Sequence, residues 1–187
     1  MPPETVILHT TTSGLDVVPA NARLTDALTH LAEKIGRERA LSRLLARITG
    51  YDFIVLDTPP ALNLLTTNAL SAADLVLIPV ETDYLALDAL AQFLVTLGEV
   101  AREVNPNAAN YWVLPTKFDR HTEHARLMLG ELEREFGERV LPCAIPYSVR
   151  AKESVATAES IFTYDPVSPV TAAYRSVAQE MTNHART

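Results

Sequence analysis

YDFIVLDTPP, residues 51–60, contains five residues, Phe53 to Asp57, that read as an apolar strand ending on a carboxylate. The Pro59-Pro60 pair then prevents either a helix or a strand ladder from continuing. This places Asp57 at the C-terminal edge of a strand. In an open parallel α/β sheet that edge is where ligands bind, because the loops leaving the strands converge around a crevice. An acid there can orient a metal-bound water. The same residues also allow Asp57 simply to begin the turn, as Asp before Pro commonly does, and the decapeptide leaves both readings open.

Outward from this stretch, strand and helix patterns alternate. On its N-terminal side, Glu4 to Thr10 is weakly patterned and allows a short strand, and Leu15 to Val18 reads as another, stopped by Pro19. Asn21 can cap a helix carrying Leu24, Leu28, Leu31 and Ile35, and a second apolar series, Leu41, Leu44, Leu45 and Ile48, runs to Gly50. On its C-terminal side, Asn63 to Ser71 predicts a short helix, and Asp74 to Val80 a near-continuous apolar strand of the kind buried on both faces. Leu85 to Val104 places Leu87, Leu90, Leu94, Leu97, Ala101 and Val104 on one helical face.

Tyr111 to Thr116 is the next strand. Thr122 can cap a helix that ends at Gly137, Arg139 to Ile145 reads as a strand broken by Pro146, a short helix follows from about Ala151, and Ser168-Pro169 opens a last helix. Strands alternating with helices of these lengths imply βαβ crossovers, an α/β fold with a mostly parallel sheet and flanking helices.

The 187 residues fit one domain spanning 1–187. A hydrophobic content of 48% with 21% charged residues is that of an ordinary globular chain. Cys143 is the single cysteine, which excludes an internal disulfide and a Cys-rich zinc site and fits a reducing compartment. The opening residues have no secretion-signal pattern, and no stretch approaches the ~18 uninterrupted apolar residues of a membrane span, so a cytoplasmic location is expected. The net charge of −7 argues against wrapping nucleic acid by bulk charge. Any DNA contact must use local patches, and Arg23 to Arg47 carries six basic residues against three acids, whereas Ile48 to Ala101 has no Lys or Arg.

Taken together, LDVVPAN (15–21), YDFIVLDTPP, LLTTNALSAADLVLIPVETDYLALDAL (64–90), VLPTKFDRHT (113–122), FGERV (136–140), IPYSVRAKES (145–154) and YDPVSP (164–169) make the chain resemble the ParA family of plasmid and chromosome partition ATPases. That family is part of the ParA/Soj/MinD-like branch of P-loop proteins with a variant phosphate loop. The resemblance implies a P-loop NTPase-like fold that binds ATP and magnesium. It further implies dimerisation with itself or a full-length relative, sequence-independent DNA binding, and stimulation of hydrolysis by a ParB-type partner.

Members of that family open with a strand, a Gly-rich phosphate loop, a helix and a further strand bearing an aspartate. None of the six glycines here, at 14, 36, 50, 98, 130 and 137, lies in a G-x-x-x-x-G-K-[ST] pattern. The phosphate-loop strand and helix are therefore expected to be missing, and the domain to be N-terminally incomplete. Backbone N–H groups of such a loop cradle the phosphates and its lysine neutralises charge on the γ-phosphate, so ATP hydrolysis is expected to be impaired or absent. The missing strand would lie beside Tyr51 to Asp57, and several core side chains lost with it would exceed the ~5–15 kcal/mol that a domain has in hand.

By resemblance, Asp57 corresponds to the acid that orients magnesium or its waters, here an orphan of its site. Thr116, with Asp119 nearby, corresponds to a position that contacts the nucleotide base, and Pro146, Tyr147 and Ser148 lie in the other base-flanking loop; ordinary loop chemistry is the alternative for all five. Arg150 corresponds to an arginine that the family uses on DNA, and Lys152 and Arg134 can join it in one patch. Glu131, Glu133, Glu135 and Glu138 make a solvated mixed-charge face the competing reading.

His121, Glu123 and His124 form H-T-E-H, not the H-E-x-x-H of a zinc protease, and fit capping and solvation better. Cys143 reads as a small core residue, and no G-x-S-x-G elbow supports a hydrolase triad. Two functions follow: a ParA-like partition protein with impaired ATP hydrolysis, or a non-enzymatic adaptor or inhibitor that binds ParB, DNA or a full-length ParA-like partner. A MinD-like membrane role is disfavoured because the tail 170–187 has only Arg175 and Arg186 as basic anchors.

Overall fold

The computed structural model describes residues 3–21, 23–59 and 63–185. They gather into two units, one formed by 1–73 with 96–108 and the other by 74–95 with 109–187. In the first unit the predicted N-terminal strands shrink to a two-residue antiparallel pair, β1 (Leu8–His9) and β2 (Asp16–Val17), with Leu8 opposite Val17 and His9 opposite Asp16. Helices α1 (Arg23–Ala32), α2 (Ala40–Leu45) and α3 (Leu64–Ala72) follow. Asn63 caps α3 by accepting from the backbone N–H groups of Leu65 and Thr66 at 2.9 and 3.3 Å, which satisfies two donors that a helix start leaves open.

Two side-chain amides join these elements. Asn68, 3% exposed, accepts from Leu41 N at 3.0 Å and donates to Arg37 O at 2.9 Å and Leu64 O at 2.8 Å, tying α3 to the entry of α2. Asn105 Nδ2 donates to Leu70 O and Ala73 O, both at 2.8 Å, which closes the C-terminal end of α3.

The predicted strand Phe53 to Asp57 does not form. Among the described residues, 53–57 pair with no strand. Phe53, Ile54 and Val55 are 51%, 47% and 90% exposed. Apolar patterning prepares a strand, but a strand exists only where a neighbour takes its N–H and C=O groups.

The second unit holds the parallel sheet. Strand β3 (Val76–Glu81) and strand β4 (Tyr111–Thr116) are linked by α4 (Tyr84–Glu103) and pair in register from Val76 opposite Tyr111 to Glu81 opposite Thr116. Burial along β3 alternates: Val76, Ile78 and Val80 are buried on one face, while on the other Leu77 packs partly buried against the core and Pro79 and Glu81 are exposed, so the second face is covered only in part. Val113, Leu114 and Pro115 of β4 are all buried. By length and hydropathy α4 would suffice to cross a bilayer, and its burial of Leu90, Leu97 and Val100 is the pattern of a helix with one core face.

The predicted strand Arg139 to Ile145 is irregular. Leu141 N donates to Val113 O and Ile145 N to Pro115 O, each at 2.9 Å, whereas a regular parallel ladder would bring Cys143 to Pro115. Two residues are thus inserted around Pro142, which has no N–H to give. Beyond Thr122, which caps it through a bond from Ala125 N, α5 (Glu123–Phe136) ends at Gly137, whose φ of 52° suits glycine. The helices α6 (Val149–Ala156), α7 (Ile161–Tyr164), which the sequence did not suggest, and α8 (Pro169–His184) complete the unit. Its core joins Leu114, Leu141, Ile145, Ile161, Val170 and Val177. Trp112 stacks on His184 with ring centroids 3.8 Å apart, closing the end of α8 against β4.

Candidate functional site

The C-terminal ends of β3 and β4 gather the candidate residues of the second unit. Thr82, 7% exposed, donates its backbone N–H to Thr116 O at 3.2 Å, so the two chains leave the sheet together. Lys117 follows with φ 52°, unusual for a residue with a side chain, and its ammonium forms an ion pair with Glu81 across the two strand ends. Phe118 pairs with Pro146 in a parallel bridge: Phe118 N donates to Ile145 O and Tyr147 N to Phe118 O, both at 3.0 Å.

That bridge sets the loop containing Thr116 and Asp119 directly beside the loop of Pro146, Tyr147 and Ser148. Local chemistry occupies some of these groups. Asp119 Oδ1 accepts from His121 N at 3.0 Å, and Ser148 Oγ caps α6 by accepting from Ala151 N at 3.2 Å. Tyr147 is half exposed, and Lys152 Nζ donates to its hydroxyl at 3.0 Å while lying 4.6 Å from the ring centroid. Glu81 and Lys117 are the members that sequence reasoning missed. The T-K-F-D run after β4 was the only signal, and nothing in it announced the ion pair.

The three predicted DNA-contacting cations do not form a single free patch. Arg150 and Lys152 are two residues apart on α6 and project about 200° apart around it. Arg150 is paired with Asp165 and Glu153, whose bonds hold its guanidinium above the ordinary arginine range, with Asp165 the larger cause. Arg134 is paired with Glu131 on α5, and that bond likewise raises it.

Asp57 belongs to the first unit, follows the unpaired segment and is exposed. Magnesium is held by one or two carboxylates together with substrate phosphates. Among the described residues no group of three His, Cys, Asp or Glu side chains lies together. The first unit has a polar cluster of its own: Tyr51 OH donates to Asp16 Oδ2 at 2.6 Å, and His9 Nδ1 lies 2.8 Å from Asp16 Oδ1. Tyr51 chiefly, then His9, holds the Asp16 carboxyl below the usual range, and the carboxylate raises the Tyr51 phenol in return. The cluster borders a cleft lined by Ile7, His9, Ile48, Thr49 and Tyr51.

The chain has relatives among known proteins. Residues 2–109 match an AAA domain family. The chain is 37% identical over 177 residues to the sporulation initiation inhibitor protein Soj of Bacillus subtilis, covering 94% of this chain and 70% of that protein. It is 39% identical over 168 residues to the chromosome-partitioning ATPase Soj of Thermus thermophilus, covering 90% of this chain and 66% of that one. A solved cobyrinic acid a,c-diamide synthase from Mycobacterium smegmatis, with bound ADP and magnesium, superposes with a TM-score of 0.82 at 30% identity, covering all of this chain and 69% of the other. The chain thus spans about two thirds of the length of these relatives.

Proposed function

The chain belongs to the ParA/Soj family of partition ATPases, and from that premise we propose a DNA-segregation role for it, with one half of an adenine-nucleotide site in its second unit. The observation that carries this reading is the Phe118–Pro146 pairing, which seats Thr116 and Asp119 beside Pro146, Tyr147 and Ser148 at the strand ends, where α/β sheets bind ligands. Those loops would flank the base, with Tyr147 offering an aromatic face. The sequence supplies no Gly-rich loop for the phosphates, so nucleotide affinity is weak and ATP hydrolysis by this chain alone is negligible.

DNA contact is assigned to Arg150, a phosphate contact that fixes position without reading sequence. A ParB-type protein and a second ParA-like chain are the protein partners this reading implies, in the cytoplasm. A thermal melt with and without millimolar Mg-ATP tests it, because a ligand that binds only the native state raises the midpoint by mass action. A cooperative melt whose midpoint millimolar Mg-ATP raises only slightly is the expected result, and no shift at all would remove the proposed half-site. A clear upward shift would show that the nucleotide is held well without a phosphate loop and would sink the claim of weak binding.

A second reading, an adaptor or inhibitor docking on a full-length relative, is favoured by the exposed and unpaired segment of Phe53, Ile54 and Val55. Capture of a full-length ParA-like protein at micromolar concentration would support it. Absence of any complex would remove it.

A further inference from the structure

Arg150 sits in a built receptor. Its Nε donates to Asp165 Oδ2 at 3.1 Å and its Nη1 to Glu153 Oε2 at 3.3 Å, while its guanidinium lies 5.1 Å from the centroid of the Tyr164 ring. Tyr164 OH in turn donates to Glu153 Oε2 at 3.2 Å. Asp165 is not placed there by its own side chain. Its carbonyl accepts from Thr171 Oγ1 at 2.6 Å, Ser168 Oγ at 3.1 Å and Ser168 N at 3.3 Å, and its N–H donates to Ile161 O at 2.9 Å. Ser168 and Thr171 are 9% and 0% exposed, so the turn that carries this carboxylate is locked into the core. The Asp165 side chain is 20% exposed against 57% for Arg150, which makes the acid the fixed member and the arginine the one that comes to it.

Arginine grips phosphate with two parallel N–H groups along one edge of its fork. Using Nε for Asp165 removes a donor from one edge, and using Nη1 for Glu153 removes one from the other. The contacts that hold Arg150 in this structure are therefore the ones a phosphate would need. One cation against two carboxylates also gives the site no net attraction for a polyanion until the arginine swings away.

We propose that Asp165, assisted by Glu153, is an internal anion that occupies Arg150 and competes with the DNA backbone for it. This rests on the assignment of Arg150 as a DNA contact. Nucleic-acid binding is then gated by release of this clamp, and anything that neutralises Asp165 frees the arginine.

The test is fluorescence anisotropy of the full chain with a labelled, mixed-sequence duplex at low salt, comparing the wild type with Asp165→Asn, Glu153→Gln, Arg150→Ala and the Arg150→Ala/Asp165→Asn double variant. Asp165→Asn keeps the carbonyl that Ser168 and Thr171 hold, and Glu153→Gln leaves that turn untouched, so the second variant stands if the first fails to fold. The expected result is that removing either acid tightens DNA binding by about two- to fivefold, the strength of a partly exposed ion pair. Arg150→Ala weakens binding, and the double variant matches it. If Arg150→Ala weakens binding while neither acid variant tightens it, the clamp is refuted and the assignment of Arg150 survives. If Arg150→Ala binds as the wild type does, or no variant binds DNA, both fall. A gain that persists in the double variant would mean general charge repulsion and would also refute the clamp.

Discussion

Asp16 is the residue whose titration should be most visible in the first unit. Its carboxyl is held below the ordinary range by the Tyr51 hydroxyl and by His9, so the sign is that of a depressed acid. The stabilisation is present above the ordinary carboxylate range and is lost as pH falls through the lowered value. Amide exchange of the β1–β2 hairpin should therefore accelerate only below that range, and Asp16→Asn should give the fast exchange at neutral pH as well. A variant with unchanged protection would show that the bond to Tyr51 is incidental. The sequence did not reveal this cluster, because its members are 7 and 35 positions apart and no spacing rule joins them. By contrast, Thr122 and Ser168 were legible as caps. A cap bonds within three residues, and for these two the partners are Ala125 and Thr171.

Helix α3 and the segment 53–57 show how far an element depends on its surroundings. Asn68 gives both of its N–H donors and its amide oxygen to backbone groups of α3 and the entry to α2. Asn68→Ala leaves the part-buried Leu41 N–H and Arg37 carbonyl without this partner and should cost about 1–3 kcal/mol in chemical denaturation. The opposite is expected at Val55, which is 90% exposed in an unpaired stretch. Val55→Asp should change stability by no more than about 0.5 kcal/mol, whereas a charge in a true sheet strand with apolar neighbours would cost several times that. A large loss at Val55 would mean that residues 53–57 are paired in solution, as their pattern suggests. The helices were largely legible because their hydrogen bonds close within the segment. The strands were legible only in part: Tyr111–Thr116 forms as predicted, Arg139 to Ile145 is split by Pro142, and Phe53 to Asp57 is unformed.

At the scale of the whole molecule, the charge of −7 sets the conditions under which DNA could be held at all. With one arginine contacting phosphate, the slope of log affinity against log salt should be near −1 per protomer, far shallower than for proteins that neutralise many phosphates. Binding retained at high salt would contradict contact through Arg150 alone. Sequence by itself determined the family, most of the helices and the strand Tyr111–Thr116, because these are written in local periodicity, in prolines and caps, and in motifs along one chain. Only the tertiary structure decided which apolar stretch becomes a strand and which partner each cation takes. A strand and an ion pair are both completed by atoms distant in sequence: β4 is flanked on both sides while residues 53–57 have no neighbour, and Arg150 is claimed by Asp165, a carboxylate that a buried turn holds in place.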